Sequence, residues 1–194
     1  MSCSIIDICN MSLGQAGSSQ QIHELEFSDD ETVPKEARLC KLYWPLTFDV
    51  VARSHDWKCL QVPADISAAL TTTPAWGYDY AYSLPPDCLR VIRMEDLDSR
   101  WTPAGRLLYT DETEVKILYI RRTNDTSLYD ACLVEALVLR MGAFLSMALP
   151  GSETQQEQLK IWYERVCLPL GRFVDSAEQS PETIQATTWT NSRL

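Results

Sequence analysis

The sequence predicts an α+β fold: an antiparallel helical bundle, a small antiparallel β-sheet domain inserted into it, and an extended C-terminal tail. Three observations point to this architecture. Apolar residues recur at helical spacing before Trp57 and again after Ser127. Between Lys58 and Asn124 the chain changes to short β-prone runs punctuated by Pro63, Pro74, Pro85, Pro86 and Pro103. Beyond Pro181 core periodicity stops, although Ile184, Trp189 and Leu194 are spread through otherwise polar sequence. The expected organisation is therefore 1–57 for the first part of the bundle, 58–126 for the β insert, 127–180 for the second part and 181–194 for the tail.

The first helix is expected over residues 4–13, with Ile5, Ile8, Cys9 and Leu13 on one face and Gly14 as its stop. A polar loop follows from Gly14 to Gln21. Ser28-Asp29-Asp30-Glu31 ahead of Pro34 has the pattern of an N-cap, an acidic first turn and an early proline. From there a long helix runs to Arg53 or Ser54 on a stripe of Leu39, Leu42, Tyr43, Leu46, Val50 and Val51, kinked at Pro45. Strands are expected at Tyr78–Tyr82, Leu89–Met94, Arg106–Tyr109 and Val115–Arg121, and Thr110-Asp111-Glu112-Thr113 reads as a hairpin turn. Ser127 with Asp130 three residues on resembles a capping box that opens the next helix. Pro150-Gly151 ends that helix, and Ser152-x-x-Gln155 opens the last one. The last helix is expected to bury Leu159, Trp162, Val166, Leu170 and Phe173 and to bend at Pro169.

The totals narrow the function. The chain has 194 residues, 17 Lys+Arg against 27 Asp+Glu, and a formal net charge of −10. A domain of this length buries roughly 70% of the surface its unfolded chain exposes, so the core needs neither a disulfide nor a metal. No third of the chain is basic, which argues against a duplex-binding protein that neutralises many phosphates. It leaves room for a wall past which DNA slides. The seven cysteines are odd in number, contain no Cys-x-x-Cys pair, and have only His23 and His55 as imidazole companions, so a zinc site is not expected. The N-terminus lacks the basic and apolar regions of a signal peptide, and synthesis in a cytosol is expected. Leu128–Leu149 is apolar but broken by Asp130, Glu135, Arg140 and Ser146. Its central charges would each cost about 2.5–3.5 kcal/mol in a bilayer. The segment therefore reads as a buried central helix, and no membrane is expected as a partner.

Motifs for catalysis are absent: there is no Gly-x-Gly-x-x-Gly, P-loop, Gly-x-Ser-x-Gly or His-Glu-x-x-His. His55-Asp56 beside Cys59 is the nearest approach to a Cys/His nucleophile pair, but it also reads as a polar helix terminus next to Trp57. The acidic pairs Asp29-Asp30, Asp96/Asp98 and Asp111-Glu112 belong to caps and turns. No catalytic residue, cofactor or metal ligand is assigned. Arg121-Arg122 and Arg90/Arg93 read as strand edges or ion pairs rather than a nucleic-acid patch. Six tryptophans and eight tyrosines supply many side chains suited to interfaces. Trp189, in a tail with no local core, is the first interface candidate, with docking back onto the body as its alternative.

Two stretches carry a family resemblance. Ala37-Arg38-Leu39-Cys40-Lys41-Leu42-Tyr43-Trp44-Pro45 places an aromatic-aromatic-Pro element before a helix that ends near His55-Asp56-Trp57. Trp76-Gly77-Tyr78-Asp79-Tyr80-Ala81-Tyr82-Ser83-Leu84-Pro85-Pro86-Asp87-Cys88-Leu89-Arg90-Val91 is the more specific run. Together they resemble tail tubular protein A, the head-to-tail adaptor of short-tailed phages (podoviruses). Gly105-Arg106, Leu108–Asp111, Tyr119–Arg122, Asp130 and Trp189–Arg193 extend the similarity over most of 4–194. The resemblance implies a structural virion protein without catalysis or cofactor, located at the head-tail junction. About twelve copies would form a ring below the portal protein, conduct DNA without binding it specifically, and dock a nozzle of the tail tubular protein B type and tail fibres. It assigns portal contact to the C-terminal stretch, through Ile184, Trp189, Arg193 and Leu194. An acidic lumen would repel phosphate and keep the genome moving. Two other readings stay open: a hydrolase using His55, Cys59 or a carboxylate turn, and a small nucleic-acid-binding regulator.

Overall fold

The computed structural model describes residues 3–25, 33–66, 70, 74, 77–149 and 153–178. The chain is α+β, with two small antiparallel sheets between an earlier and a later set of helices. Helix α1 (Ile5–Gln15) opens with a capping box, Ser4 Oγ accepting from Asp7 N at 3.1 Å while Asp7 Oδ2 accepts from Ser4 N at 2.9 Å. It passes through the expected stop at Gly14 and ends at Gly17, where φ is +83°. There Ser18 N–H reaches Leu13 O (3.0 Å) and Gly17 N–H reaches Gly14 O (3.1 Å). That pair of bonds needs a left-handed residue after the helix, and Gly17 supplies it. Part of the polar loop is anchored beyond this point: Asn10 brackets the backbone of Ile22, whose side chain enters the core.

Helix α2 (Lys35–Ser54) begins directly after Pro34, and the acidic Ser28–Glu31 segment lies outside the described residues. Pro45 falls inside the helix on its exposed side, where a missing donor costs least. The buried face is Ala37, Cys40, Trp44, Phe48 and Val51; of the expected stripe Val51 is fully buried and Leu39 and Tyr43 pack against the core, while Leu42 and Leu46 are exposed. The aromatic rings decide this rotation. Phe48 stacks on Tyr129 at 5.8 Å and Tyr43 on Phe144 at 5.7 Å, turning Leu42 and Leu46 outward.

Among the described residues, six strands lie between α2 and the next long helix: β1 (Gln61–Ile66), β2 (Tyr80–Ser83), β3 (Cys88–Met94), β4 (Trp101–Ala104), β5 (Leu107–Thr110) and β6 (Val115–Arg121). One sheet has the order β1-β6-β3 and the other β2-β5-β4, antiparallel throughout. The sequence shows four of these strands. The two it hides, β1 and β4, each contain a proline, Pro63 and Pro103, and both are outer strands where a missing N–H is tolerated. The expected turn at Thr110–Thr113 does not close a hairpin, because β5 and β6 belong to different sheets. The tight hairpin is instead β4–β5, turned at Gly105 with φ +61°.

The β1-β6-β3 sheet separates two cores. Leu89, Ile92 and Ile120 face the helices, while Cys88, Val91, Met94, Val115, Ile117 and Tyr119 pack with Tyr82 and Leu108 from the other sheet. Strand β3, like β6, serves both cores from its two faces; register shifts at Cys88/Arg90 and Val91/Arg93 space its residues by three on each side, Cys88, Val91 and Met94 on one and Leu89 and Ile92 on the other.

Helix α3 (Ala131–Ala148) is capped by Asp130, whose Oδ1 accepts from Leu133 N at 2.6 Å. Ser127 belongs instead to a short 3-10 turn, Thr126–Leu128, capped by Asp125. Helix α3 is long and apolar enough to cross a membrane, but α1, α2 and the following helix pack against it and Leu133, Leu137, Met141 and Leu145 are fully buried. Gly142 allows the close approach of α1: a Cβ there would stand 3.3 Å from Ser12 O and 3.2 Å from the Gln15 Cβ.

The final helical segment comprises α4 (Glu153–Trp162), a π turn (Tyr163–Cys167) and α5 (Leu168–Ala177). Pro169 cannot donate to the helical ladder, and just before it Leu168 N–H reaches back to Tyr163 O in the wide i→i−5 pattern. The expected bend is thus taken up as a π turn. The orientation also differs from expectation, as the next section describes.

Candidate interaction surface

The inward row of α4–α5 is Leu159, Tyr163, Cys167, Gly171 and Asp175, spaced by four residues throughout. A four-residue spacing drifts around a 3.6-residue helix, and the wider π turn removes part of that drift. Each inward residue has a specific partner. Tyr163 Oη donates to Ser54 Oγ (3.2 Å), and the Arg140 guanidinium lies 5.6 Å from the Tyr163 ring. Gly171 receives the Trp57 indole so closely that a Cβ would stand 2.9 Å from Cζ3. Asp175 Oδ2 meets His55 Nε2 at 2.5 Å, with both side chains largely buried.

His55-Asp56-Trp57 is therefore the fastening point of the molecule. Trp57 is fully buried, donates from Nε1 to Val51 O (2.9 Å), and takes the His55 ring edge-on at 4.9 Å. Asp56 pairs with Arg90 on β3, and Arg53 donates to Leu89 O. Asp49 takes both Arg122 Nε (2.8 Å) and its terminal nitrogen. Arg90 and Arg122, read from sequence as strand-edge cations or ion-pair members, thus hold the sheet to α2. A cleft of about 310 Å³ beside the His55–Asp175 pair is lined by Lys58, Arg93 and Arg172.

With the inward row committed to small and polar residues, the apolar side of the helix turns to solvent. Trp162 is 55% exposed, Val166 50%, Leu170 46% and Phe173 69%, flanked by Ile161 and Val174. Four of the five residues expected to be buried are therefore outside; only Leu159 is inside. Periodicity registered the apolar row correctly but assigned it to the wrong side, because Gly171 and Asp175 are buried by partners more than a hundred residues away in sequence. Together the six side chains expose on the order of 500 Å² of apolar surface. The largest patch on a typical monomer is about 300–600 Å² and is often functional. Leu42 and Leu46 of α2 form a second, smaller outward pair, 67% and 51% exposed.

The Cys/His pairing considered from sequence takes a different form. His55 is engaged by Asp175, whereas the partner of Cys59 is Asp130. Burial above all, with carboxylates nearby, pushes the Cys59 thiol up to about 12, so at neutral pH it is a protonated thiol. All seven cysteines are free, and four of them, Cys9, Cys40, Cys88 and Cys167, are buried. The acidic turns hold backbone: Asp96 serves its own loop, accepting from Asp98 N (3.1 Å) and Ser99 Oγ (2.8 Å), and Asp111 ties its turn to the residue before β2, accepting from Asp79 N (3.1 Å). Among the described residues, no three His, Cys, Asp or Glu side chains gather as a metal site would require. Ile184, Trp189, Arg193 and Leu194, assigned by resemblance to portal contact, lie outside the described residues, as does Trp76.

Compared with family models and with curated proteins, the chain matches none.

Proposed function

We propose that the protein is a structural assembly subunit, the head-to-tail adaptor of a short-tailed phage, and not an enzyme. The observation that carries this is the outward apolar face of α4–α5. Six large apolar side chains, Trp162 and Phe173 among them, are exposed along this one helical segment, and an exposed apolar area of that size on a monomer is often functional. The fully protonated, carboxylate-paired Cys59 supports a role without thiol chemistry. The use of Arg90 and Arg122 as internal ties supports a role without phosphate clamping.

In this reading the helices form an antiparallel bundle around α3, and the two sheets are its insert. About twelve copies make a ring below the portal, in the virion tail at the head-tail junction. The ring passes DNA without specific binding, docks a nozzle of the tail tubular protein B type and tail fibres, and needs no cofactor or membrane. The C-terminal stretch with Ile184, Trp189, Arg193 and Leu194 engages the portal.

Sedimentation of the purified chain with and without portal rings tests the proposal. Co-sedimentation is expected, and it is expected to be lost on deletion of 184–194 while the chain stays folded. A truncated chain that still joined portal rings would remove the tail assignment. Tight binding of duplex DNA at moderate salt by the isolated subunit would favour a nucleic-acid-binding regulator instead.

A further inference from the structure

We infer that the cleft between α5, the turn after α2 and the β1-β6-β3 sheet binds a small polyanion, one that carries phosphate or clustered carboxylate groups. The inference goes beyond the assembly role proposed above and does not depend on it.

The cleft lies where three parts of the chain that are distant in sequence converge. The turn brings Lys58, strand β3 brings Arg93 and α5 brings Arg172 around a space of about 310 Å³. That volume is at the small end of the range for ligand sites, which join apolar walls to a few charged groups that fix orientation. Here Ile92 and Leu118 of the sheet supply the apolar wall.

Charge decides the class of ligand. Two carboxylates also line the cleft, but both are engaged: Asp56 takes Arg90, which lies outside the lining, and Asp175 takes His55. Among the described residues, Lys58, Arg93 and Arg172 have no ion-pair or hydrogen-bond partner. Arg53, Arg90, Arg106 and Arg122, by contrast, are each tied to a carbonyl or a carboxylate. In a chain of net charge −10 carboxylates are plentiful, yet none is set against these three cations. Two arginine forks and a lysine around one space match an anion with several oxygens, because each guanidinium offers paired donors to phosphate or carboxylate.

The neighbouring surface limits the size of the ligand. A second cavity, of about 490 Å³, shares Arg93 and Leu118 with the cleft and continues along the sheet. It adds Asp65, Glu95 and Lys116, and Lys116 Nζ is held by Glu95 at 3.1 Å. A nucleic-acid backbone that continued into this cavity would meet two carboxylates. The cationic stretch ends at Arg93, which suits a compact anion and not a polymer.

Isothermal titration calorimetry of the full chain at low ionic strength, with pyrophosphate and citrate as probes, tests the site. One-to-one binding of at least one probe is expected, and the tighter of the two names the group the site prefers. Arg93→Gln/Arg172→Gln is expected to weaken binding by about tenfold or more; both side chains are exposed, so the fold does not rest on them. Lys160→Gln/Arg165→Gln, which removes two exposed cations outside the cleft, is expected to leave the affinity unchanged. Failure of both probes to bind would overturn the inference. Equal weakening by the two double variants would overturn it as well, by showing a general attraction of anions to surface cations.

A second measurement needs no variant. Acetylation of Lys58 in the unmodified chain, followed by mass spectrometry, is expected to slow severalfold when the tighter probe is present, while Lys160 reacts as before. Binding that left Lys58 unprotected would put the anion elsewhere and overturn the assignment.

Discussion

Helix α3 and the α4–α5 segment are both rich in large apolar side chains, yet they use them in opposite ways. In α3, Leu133, Leu137, Met141 and Leu145 disappear completely under the neighbouring helices, and the only cation of the helix, Arg140, lies over the Phe144 and Tyr163 rings. In α4–α5 the buried row contains Gly171 and Asp175, while Trp162 and Phe173 stand in solvent. Apolar content alone therefore does not decide which side of a helix is inside. The decision falls to particular contacts, here a tryptophan that needs the space of a glycine and a histidine that needs a carboxylate.

The strongest way to break this contrast is to remove the tryptophan. Trp57→Ala deletes a fully buried ring and the contact that orients α5, and should lower stability by about 3–5 kcal/mol in chemical denaturation. A loss below about 1 kcal/mol would mean that Gly171 and Asp175 are not what sets the register. Leucine truncations then compare the two helices directly. Leu137→Ala should cost about 2–5 kcal/mol, whereas Leu170→Ala should change monomer stability by no more than about 0.5 kcal/mol. Equal losses in the two variants would place the α4–α5 face inside the monomer.

The same contrast has a pH signature. Burial raises the Cys59 and Cys167 thiols to about 12 from an ordinary value of 9.0. Burial and Asp87 likewise raise the Tyr119 phenol to about 12 from 10.0. The folded state therefore holds these protons more tightly than the unfolded chain. Their contribution to stability is complete below pH ~9 and is lost as pH rises towards 12. Thermal unfolding midpoints should fall steadily over that interval, and alkylation of Cys59 in the folded chain should remain slow at pH 8. Rapid alkylation there would reveal an accessible thiolate. A small effect is also expected at Asp56. Asp56→Asn removes a partly exposed ion pair with Arg90 and should cost about 1 kcal/mol or less by the same denaturation assay.

Sequence patterns made the α+β class, four of the six strands and helix α3 legible, because each depends on local periodicity. Strands β1 and β4 were hidden because Pro63 and Pro103 forbid a central strand, and periodicity alone does not announce an outer one. The end of α1 was misplaced by one local choice: Gly14 and Gly17 are both possible stops, and only the backbone twist at Gly17 distinguishes them. The face of α2 is legible in part: Leu39, Tyr43 and Val51 pack inward as expected, whereas Trp44 and Phe48 take the core positions that the pattern gives to Leu42 and Leu46. The candidate surface was legible as a row of residues but not as a surface. Asp175 looks like an ordinary polar residue until His55, 120 positions earlier, is brought against it. A run of Tyr163, Cys167, Gly171 and Asp175 at four-residue intervals was the one signal available, and it lacks the hydrophobicity that marks a core.

The outer strands have a consequence for how the protein survives at high concentration. Pro63 interrupts β1, Pro103 interrupts β4, two bulges break β3, and the backbone N–H of Leu70 caps β2 by donating to Ala81 O at 2.8 Å. Among the described residues, each outer strand is thus interrupted or partly covered. Crowded copies are thereby steered away from aggregation by strand addition, a route that would otherwise compete with ordered contact between helices.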